Sequence, residues 1–404
     1  MIHVLFLIED TSFAFDSRVK REVDTLKNLG IEVIVICPVN NRKETAYYKK
    51  DGVHVYPYYL NAEGEDIWSH LCEYANGLVC QMVLCAKIYR KHRFSAIHLS
   101  SQSDLLWIVA LPYKIMGKKV IYDQHDPIPE LFEVRFGHRV PILGHIIRLF
   151  ERIAITIADH VITINETCRK SVLKKVKKRP NQVTIVRNGP RRRDFDIKGI
   201  DPDSKIRMLG KIIVGYLGNM NPQDNIDIII ELARIVIKER GRTDIAFVLV
   251  GSGTDWQRLR DLRDTLGLTD AVYMPGRLPW TNVLSTIKAA DICIQPDLPN
   301  VFNHKVTMNK LMEYMMLSKP VVAFKLEETK ISGGDAIVYC QDATAASLAD
   351  QVILLADDDG KRKALGAAGR RRIDEKMGWQ HQEKALISVY QTLFPKRMAC
   401  GEIE

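Results

Sequence analysis

The amino-acid sequence predicts an α/β protein made of two doubly wound, Rossmann-like domains. Three observations carry that expectation. Short apolar runs alternate with longer helical patterns, which is the signature of βαβ units on a parallel sheet. The alternation lapses once, in a charged stretch punctuated by Gly and Pro, and then restarts. With 404 residues, 46% of them hydrophobic, the chain is long enough for two cores of ordinary size.

The first series of strands is "HVLFLI" (3–8), "EVIVIC" (32–37), "AIHLS" (96–100), "KVIYD" (119–123), "HVITI" (160–164) and "VTIV" (183–186). Residues 191–207, which include "RRRDFDIKGIDPDSK", read as a linker. The second series is "IIVGYLG" (212–218), "AFVLVG" (246–251), "VYMPG" (272–276), "ICIQP" (292–296), "PVVAF" (320–324) and "AIVYC" (336–340). Helical patterns such as "NIDIIIELARIVIKER" and "DWQRLRDLRDTLG" lie between these strands. The expected domains are therefore 1–190 and 208–378, with ligands received in a cleft at the carboxyl ends of both sheets.

A net charge of +9 suits nucleic acid, an anionic membrane face or phosphorylated substrates. The basic run "RKSVLKKVKKRP" (169–180) lacks the interleaved aromatics that stack bases, so no nucleic-acid partner is expected. That run and "VPILGHIIRLFERIAITIA" (140–158), with Arg148 and Arg152, would suit anionic lipid headgroups. Equally, they read as a solvated face and a core helix. The eight cysteines form no CxxC pair and read as reduced thiols. The start "MIHVLFLIED" reads as a strand rather than a signal peptide, and no apolar run reaches the ~18 residues of a spanning helix. These features predict a cytoplasmic protein, soluble or peripheral on the membrane.

Nucleotide motifs narrow the chemistry. No glycine follows the first strand in "IEDTSFAFDSRVK", while "GYLGNMN" and "GSGTDW" each lack a third glycine, so a GxGxxG dinucleotide enzyme is excluded. No Walker sequence is present, which argues against a P-loop NTPase. "DFD" (194–196) imitates an Asp-x-Asp metal clamp but lies in the charged linker, and no metal or cofactor is expected.

"MNKLMEYMMLSKPVVAF" (308–324) carries the donor-site reading. A helix from about Thr307 to Leu317, capped by Thr307, places Lys310 and Glu313 on one face. A diphosphate can meet the positive helix start and Lys310, while Glu313 accepts hydrogen bonds from a ribose diol. Alternatively the two residues form an exposed i,i+3 ion pair.

The pattern Lys-x-x-Glu-Tyr-Met followed by Lys-Pro-Val-Val-Ala resembles the donor-site motif of retaining, family-4-like GT-B glycosyltransferases (glycosyl transferases group 1). Further matches follow in order along the chain: "DSRVKREVDTLKNLGIEVIVIC", "VIYDQHDPIPELF", "TINET", "VRNGP", "YLGNMNPQDNIDIII", "LVGSG" and "ISGGDA". The resemblance implies a GT-B fold, with two Rossmann-like domains facing a central cleft and a last helix, 379–404, packing back on the first domain. It also implies a nucleotide diphosphate-sugar donor held by Gly218, Asn219, Arg277, Lys305, Asn309, Lys310 and Glu313. The chain departs from the family at Asn219 and Asp224, where an Arg and a Lys commonly clamp the diphosphate, and at Lys305, which replaces the first glutamate of the usual pair. Arg277, Lys305 and Lys310 remain as cations.

In the first domain "YDQHDPIPE" follows a strand, so Asp123, His125 and Asp126 stand at its carboxyl end. His125 resembles the family's central histidine, which contacts the donor sugar near the reacting carbon. Glu130 is an acceptor-side candidate or simply begins a helix. Asp16 and Arg18 line the acceptor side, or Asp16 caps the helix "SRVKREVDTLKNLG". The implied reaction is retaining, metal-independent transfer to a saccharide or lipid-linked hydroxyl. A GT-B-type epimerase and a catalytically silent nucleotide-sugar-binding partner of another transferase are the alternatives.

Overall fold

The computed structural model describes residues 2–60, 67–101, 104–137 and 141–398. The chain divides into two compact units, Met1–Asn188 with Gln380–Glu404, and Gly189–Trp379.

The first unit holds β1 (His3–Ile8), β2 (Glu32–Val39), β3 (Tyr48–Lys50), β4 (Val53–Tyr59), β5 (Ala96–Ser101), β6 (Lys119–Gln124), β7 (His160–Thr163) and β8 (Val183–Ile185). They form one sheet in the order β3-β4-β2-β1-β5-β6-β7-β8. Every pairing is parallel except the hairpin β3–β4 at one edge. The strand order reverses at β1, so the crevice outside the carboxyl ends of β1 and β5 is where such a sheet receives ligands.

Nearly continuous apolar strands bury both faces. On one face Leu5, Leu7, Ile34, Ile36, Ile97, Leu99 and Tyr122 share a core. On the other, helix Ser17–Asn28 buries Val19, Val23 and Leu26. Helix Trp379–Leu393 also belongs to this unit, and it buries Leu386, Val389 and Tyr390 completely. The Tyr390 hydroxyl meets His98 Nδ1 at 2.8 Å, and the His98 ring stacks on Phe6. Gln382 accepts a hydrogen bond from the Arg187 amide at 3.0 Å.

The second unit holds β9 (Ile212–Leu217), β10 (Ile245–Val250), β11 (Val272–Gly276), β12 (Ile292–Gln295), β13 (Val321–Ala323) and β14 (Ile337–Tyr339), in the order β11-β10-β9-β12-β13-β14. All its pairings are parallel, and the order reverses at β9. Residues 191–207, expected as a linker, pack onto this unit. Phe195 and Ile206 are buried in its core, and the Trp280 indole lies edge-on to Phe195 while donating to the Asp194 carbonyl. Charge made the segment look solvated, but its two apolar side chains fix it. Gly189 is needed for a close approach, because a Cβ there would lie 2.2 Å from the Met377 carbonyl oxygen. The Trp379 amide donates to the Pro190 carbonyl beside it.

Burying Leu386 and Val389 contributes about 1.5–3 kcal/mol each, before the loss at Tyr390 is counted. Ending the chain after Gly378 should therefore abolish cooperative unfolding of the first unit and leave it binding hydrophobic dyes, while the second unit keeps its own transition. Urea denaturation of the truncated chain checks this.

Candidate active site

In the first unit the groups converge on Asp123, fully buried at the carboxyl end of β6. Arg18 donates to both of its oxygens, from Nε at 2.9 Å and Nη2 at 2.7 Å. Arg18 Nη1 donates to the Val186 carbonyl at 2.9 Å and to Asn188 Oδ1 at 2.8 Å. Arg18, expected on the acceptor side, is thus buried with its donors turned inward. Its guanidinium is a strut, because desolvating it requires partners on every side. Asp16 takes the capping role, accepting from the Val19 amide at 2.9 Å. Glu130 lies in the first turn of helix Ile128–Phe136, with Lys175 Nζ at 3.8 Å.

His125 Nε2 lies 2.9 Å from the same Asp123 carboxylate. Burial opposes charge on the imidazole, yet Asp123 outweighs it and raises the ring to about 9. His125 is therefore an imidazolium at neutral pH, with Nε2–H donating to Asp123 and Nδ1–H left to offer. Burial also works against ionising Asp123, but Arg18 and His125 hold it well below the usual carboxylate range. Burial, and then the Asp123 charge, push Glu22 up to about 8 despite Arg18 at 3.2 Å. Burial raises Asp126 as well. At Asp10, in the turn after β1, desolvation and then the Asp16 charge raise the carboxyl, while His125 draws it down.

In the second unit the loops after β9 and β10 press main chain against main chain. Gly251 has φ +147°, and a Cβ there would lie 1.8 Å from the Gly218 carbonyl oxygen. A Cβ on Gly253 would lie 2.3 Å from the Met220 carbonyl oxygen. The glycines of "GSGTDW" thus serve close packing of two loops, while Gly218 makes room for the Tyr216 ring. Asn219 is exposed, and its carbonyl accepts from the Tyr216 hydroxyl at 2.8 Å. Asp224 is spent locally, accepting from the Asn221 amide at 2.9 Å.

The helix expected from Thr307 runs over Asn309–Met316, with Met308 at the N-cap and no side-chain cap. Thr307 precedes the N-cap and is buried. Tyr314 ties this helix to β9, its hydroxyl oxygen accepting from the Leu217 amide at 2.7 Å. Lys310 Nζ sits 3.0 Å from Asp297 Oδ1 and over the Tyr216 ring. Burial lowers its proton affinity, but Asp297 more than restores it, so Lys310 is charged. Asn309 is exposed at the first helical position, and Glu313 is half-buried one turn on. Arg277 is exposed just after β11, and Lys305 is half-buried in the loop before the helix.

The structure thus gathers Gly218, Asn219, Lys305, Asn309, Lys310 and Glu313 on the loops and helix start outside β9 and β12, the strands flanking the reversal. Asp297, Glu22, His98 and Asp10 were not anticipated. Asp297 and Asp10 had a signal, since each closely follows a strand; Glu22 and His98 lie inside apolar-patterned elements and had none.

These features define a protein of two doubly wound α/β units, each with a crevice at the carboxyl ends of its strands where the order reverses. Residues 17–190 match the model described as Glycosyltransferase Family 4, and residues 211–358 match the one described as Glycosyl transferases group 1. The two matches together span both units, and the chain belongs to the group 1 glycosyltransferases of GT-B architecture.

Among curated relatives, the phosphatidylinositol N-acetylglucosaminyltransferase GPI3 subunit of Saccharomyces cerevisiae is 22% identical over 150 residues, 37% of this chain and 32% of the relative. The capsular polysaccharide biosynthesis glycosyltransferase CapM of Staphylococcus aureus is 20% identical over 256 residues, 61% of this chain and 65% of CapM. The chain therefore spans about a third of GPI3 and just under two thirds of CapM. Sucrose-phosphate synthase from Thermosynechococcus elongatus superposes with a TM-score of 0.78 at 16% identity, covering 98% of this chain and 100% of that one. Anabaena HepE, solved with UDP-glucose, superposes with a TM-score of 0.69 at 15% identity, covering 97% and 100%. At such identities the likeness is one of fold.

Glu22 and His125 both bind protons more tightly when folded, at about 8 against 4.5 and about 9 against 6.5. Their contribution to stability is complete below the unfolded values and is lost as pH rises through the folded ones. The two windows overlap between 6.5 and about 8, where the melting temperature should fall most steeply. Glu22→Gln removes one titration and should make that fall shallower; calorimetric scans at a series of pH values measure both slopes.

Proposed function

We propose that this transferase moves a sugar from a nucleotide diphosphate-sugar to a hydroxyl acceptor with retention, in the assembly of a surface polysaccharide or glycolipid. The observation that carries the reading is the uncapped start of helix Asn309–Met316 beside the strand reversal at β9, with a charged Lys310 in its first turn. A helix start without a side-chain cap presents main-chain N–H groups to an anion, and the helix dipole adds to their pull. Arg277 and Lys305 are further cations for the phosphates, and Glu313 accepts from the ribose diol.

Departure of the nucleoside diphosphate breaks the bond from the anomeric carbon to the phosphate oxygen. The acceptor oxygen bonds that carbon on the same face, and the acceptor proton passes to the leaving phosphate. Charge grows on the diphosphate as it leaves, so fixed cations and helix dipoles lower the barrier without a metal. His125, held by Asp123, offers Nδ1–H to the transferred sugar, and Asp126 and Glu130 border the acceptor.

A peripheral membrane position has its own support. Among the described residues no helix is long and apolar enough to cross a membrane. Helix Pro141–Ile157 nonetheless exposes Ile142, Ile146 and Leu149 beside exposed Arg148 and Arg152. Apolar residues flanked by cations suit the boundary of an anionic bilayer. The basic run contributes less, since Lys175 is paired with Glu151 at 2.7 Å and Arg169 and Lys178 donate to nearby carbonyls.

Incubation with a panel of nucleotide-sugars decides the reaction class: slow sugar release fits the transferase, a new epimer the isomerase, and binding without turnover a silent partner. Glu313→Ala should weaken nucleotide diphosphate binding by roughly tenfold to a hundredfold in titration calorimetry, the worth of hydrogen bonds to a carboxylate. An unchanged affinity removes Glu313 from the nucleotide.

His125→Ala should lower kcat and kcat/KM together by about 10²–10³ while nucleotide affinity and melting temperature stay near wild type. A folded variant with normal turnover would exclude His125 from the chemistry.

A further inference from the structure

A second constellation lies at the opposite end of the first unit's sheet. Glu32 opens β2, His54 is the second residue of β4, and His92 closes helix Ile67–His92. We propose that Glu32, His54 and His92 form a site for a divalent transition-metal ion, of the kind that takes imidazole nitrogen and carboxylate oxygen together. Nothing in the transfer chemistry calls for it, and it lies at the amino ends of β2 and β4, in the sheet whose strand β6 leads at its carboxyl end into His125.

Geometry is the first support. One ligand atom from each residue lies within 4.8 Å of the others. His92 Nδ1 is 3.3 Å, and His54 Nε2 is 3.6 Å, from Glu32 Oε1. These separations are long for hydrogen bonds, whose usual length is about 2.9 Å. An ion bound at roughly 2.0–2.1 Å in a tetrahedral shell instead sets its ligand atoms about 3.3–3.4 Å apart. His3 Nε2, 3.6 Å from Glu32 Oε2, is close enough to supply a fourth ligand.

The outer partners are the second support. A metal-bound imidazole almost always has its other nitrogen held by a hydrogen bond, which fixes the tautomer and aims the lone pair. Here His54 Nδ1 is 2.8 Å from the Tyr47 hydroxyl, His92 Nε2 is 3.1 Å from the Tyr56 hydroxyl, and His3 Nδ1 is 2.7 Å from the His92 carbonyl. Each imidazole thus keeps one nitrogen for the Glu32 side.

Charge narrows the ion. Glu32 is the one anion among the proposed ligands, and Lys49 and Lys91 are close enough to act on His54, so Ca²⁺ or Mg²⁺, which need several oxygen ligands, are poorly served. Two or three imidazoles favour Zn²⁺, Co²⁺, Ni²⁺ or Cu²⁺. The carboxyl end of the helix that His92 closes adds a partial negative charge. Such an ion would join the starts of two strands to the end of a helix.

The test uses the full-length chain without an affinity tag, stripped with a chelator and titrated with Zn²⁺ by calorimetry and with Co²⁺ by visible absorption. One equivalent of Zn²⁺ should bind and raise the melting temperature by a few degrees, and Co²⁺ should show the intense bands of a four-coordinate ion. His54→Gln should abolish both signals. Tyr47→Phe, which keeps all ligands and removes an outer partner, should weaken Zn²⁺ roughly tenfold or more. Absence of saturable binding, or binding unchanged in both variants, overturns the site. Nucleotide binding by the second unit should be the same with and without the ion, so this outcome is separate from that of the transfer reaction.

Discussion

The buried ion pair of Arg18 with Asp123 is the contact on which the first unit's site depends. Arg18 comes from the first turn of the helix after β1, Asp123 from the end of β6, and the remaining guanidinium donors reach the chain at Val186 and Asn188. Three stretches distant in sequence are thereby fixed around one carboxylate. Removing either partner of a buried pair leaves an uncompensated charge and costs about 3–5 kcal/mol. That penalty, more than net attraction, makes the arrangement singular. The same carboxylate holds the His125 proton, so one interaction sets both local shape and the charge of the imidazole.

The second unit uses the same strand order with different physics. Its loops after β9 and β10 depend on absent side chains, since Gly251 and Gly253 let the two turns touch through their main chains. Its charged group is restrained by an acid, Asp297, that lies between the end of β12 and the helix carrying Lys310. Lys310 already shares its charge with Asp297, so under the proposed donor reading the helix start and the neighbouring cations would supply more of the affinity for a phosphate than Lys310 itself.

Most of the architecture could be read from the sequence because parallel strands covered on both faces are apolar throughout, and twelve short runs stood out against helical patterns. The hairpin strands β3 and β4 did not: Tyr48, Lys49 and Lys50 are exposed and carry no pattern, and β4 interleaves His54, Pro57 and tyrosines with its two valines instead of forming a plain apolar run. Residues 191–207 misled because charge dominates their composition, whereas Phe195 and Ile206 decide where they lie. The positions of Asp123 and His125 at a strand end, and of Lys310 and Glu313 on one helix, were legible from strand and helix patterns. Their pairings were not: that Asp123 meets Arg18 and Asp297 meets Lys310 follows only once distant strand ends are brought together, and Glu22 and His98 hide within apolar elements. Thr307 had the right chemistry for a cap and is buried instead, which a single sequence does not reveal.

Tyr390, which closes the first unit from the far end of the chain, has a consequence for the order of events on the ribosome. The second unit is continuous from Gly189 to Trp379 and can complete itself as soon as it emerges. The first, although synthesised earlier, lacks Leu386, Val389 and the hydroxyl that meets His98 until roughly two hundred more residues have been added, a wait of about 10–40 s at ordinary elongation rates. For that interval a sheet face lined by Phe6 and His98 has no permanent cover. The half made first is therefore finished last, and it is the nascent surface on which a chaperone would have most reason to act.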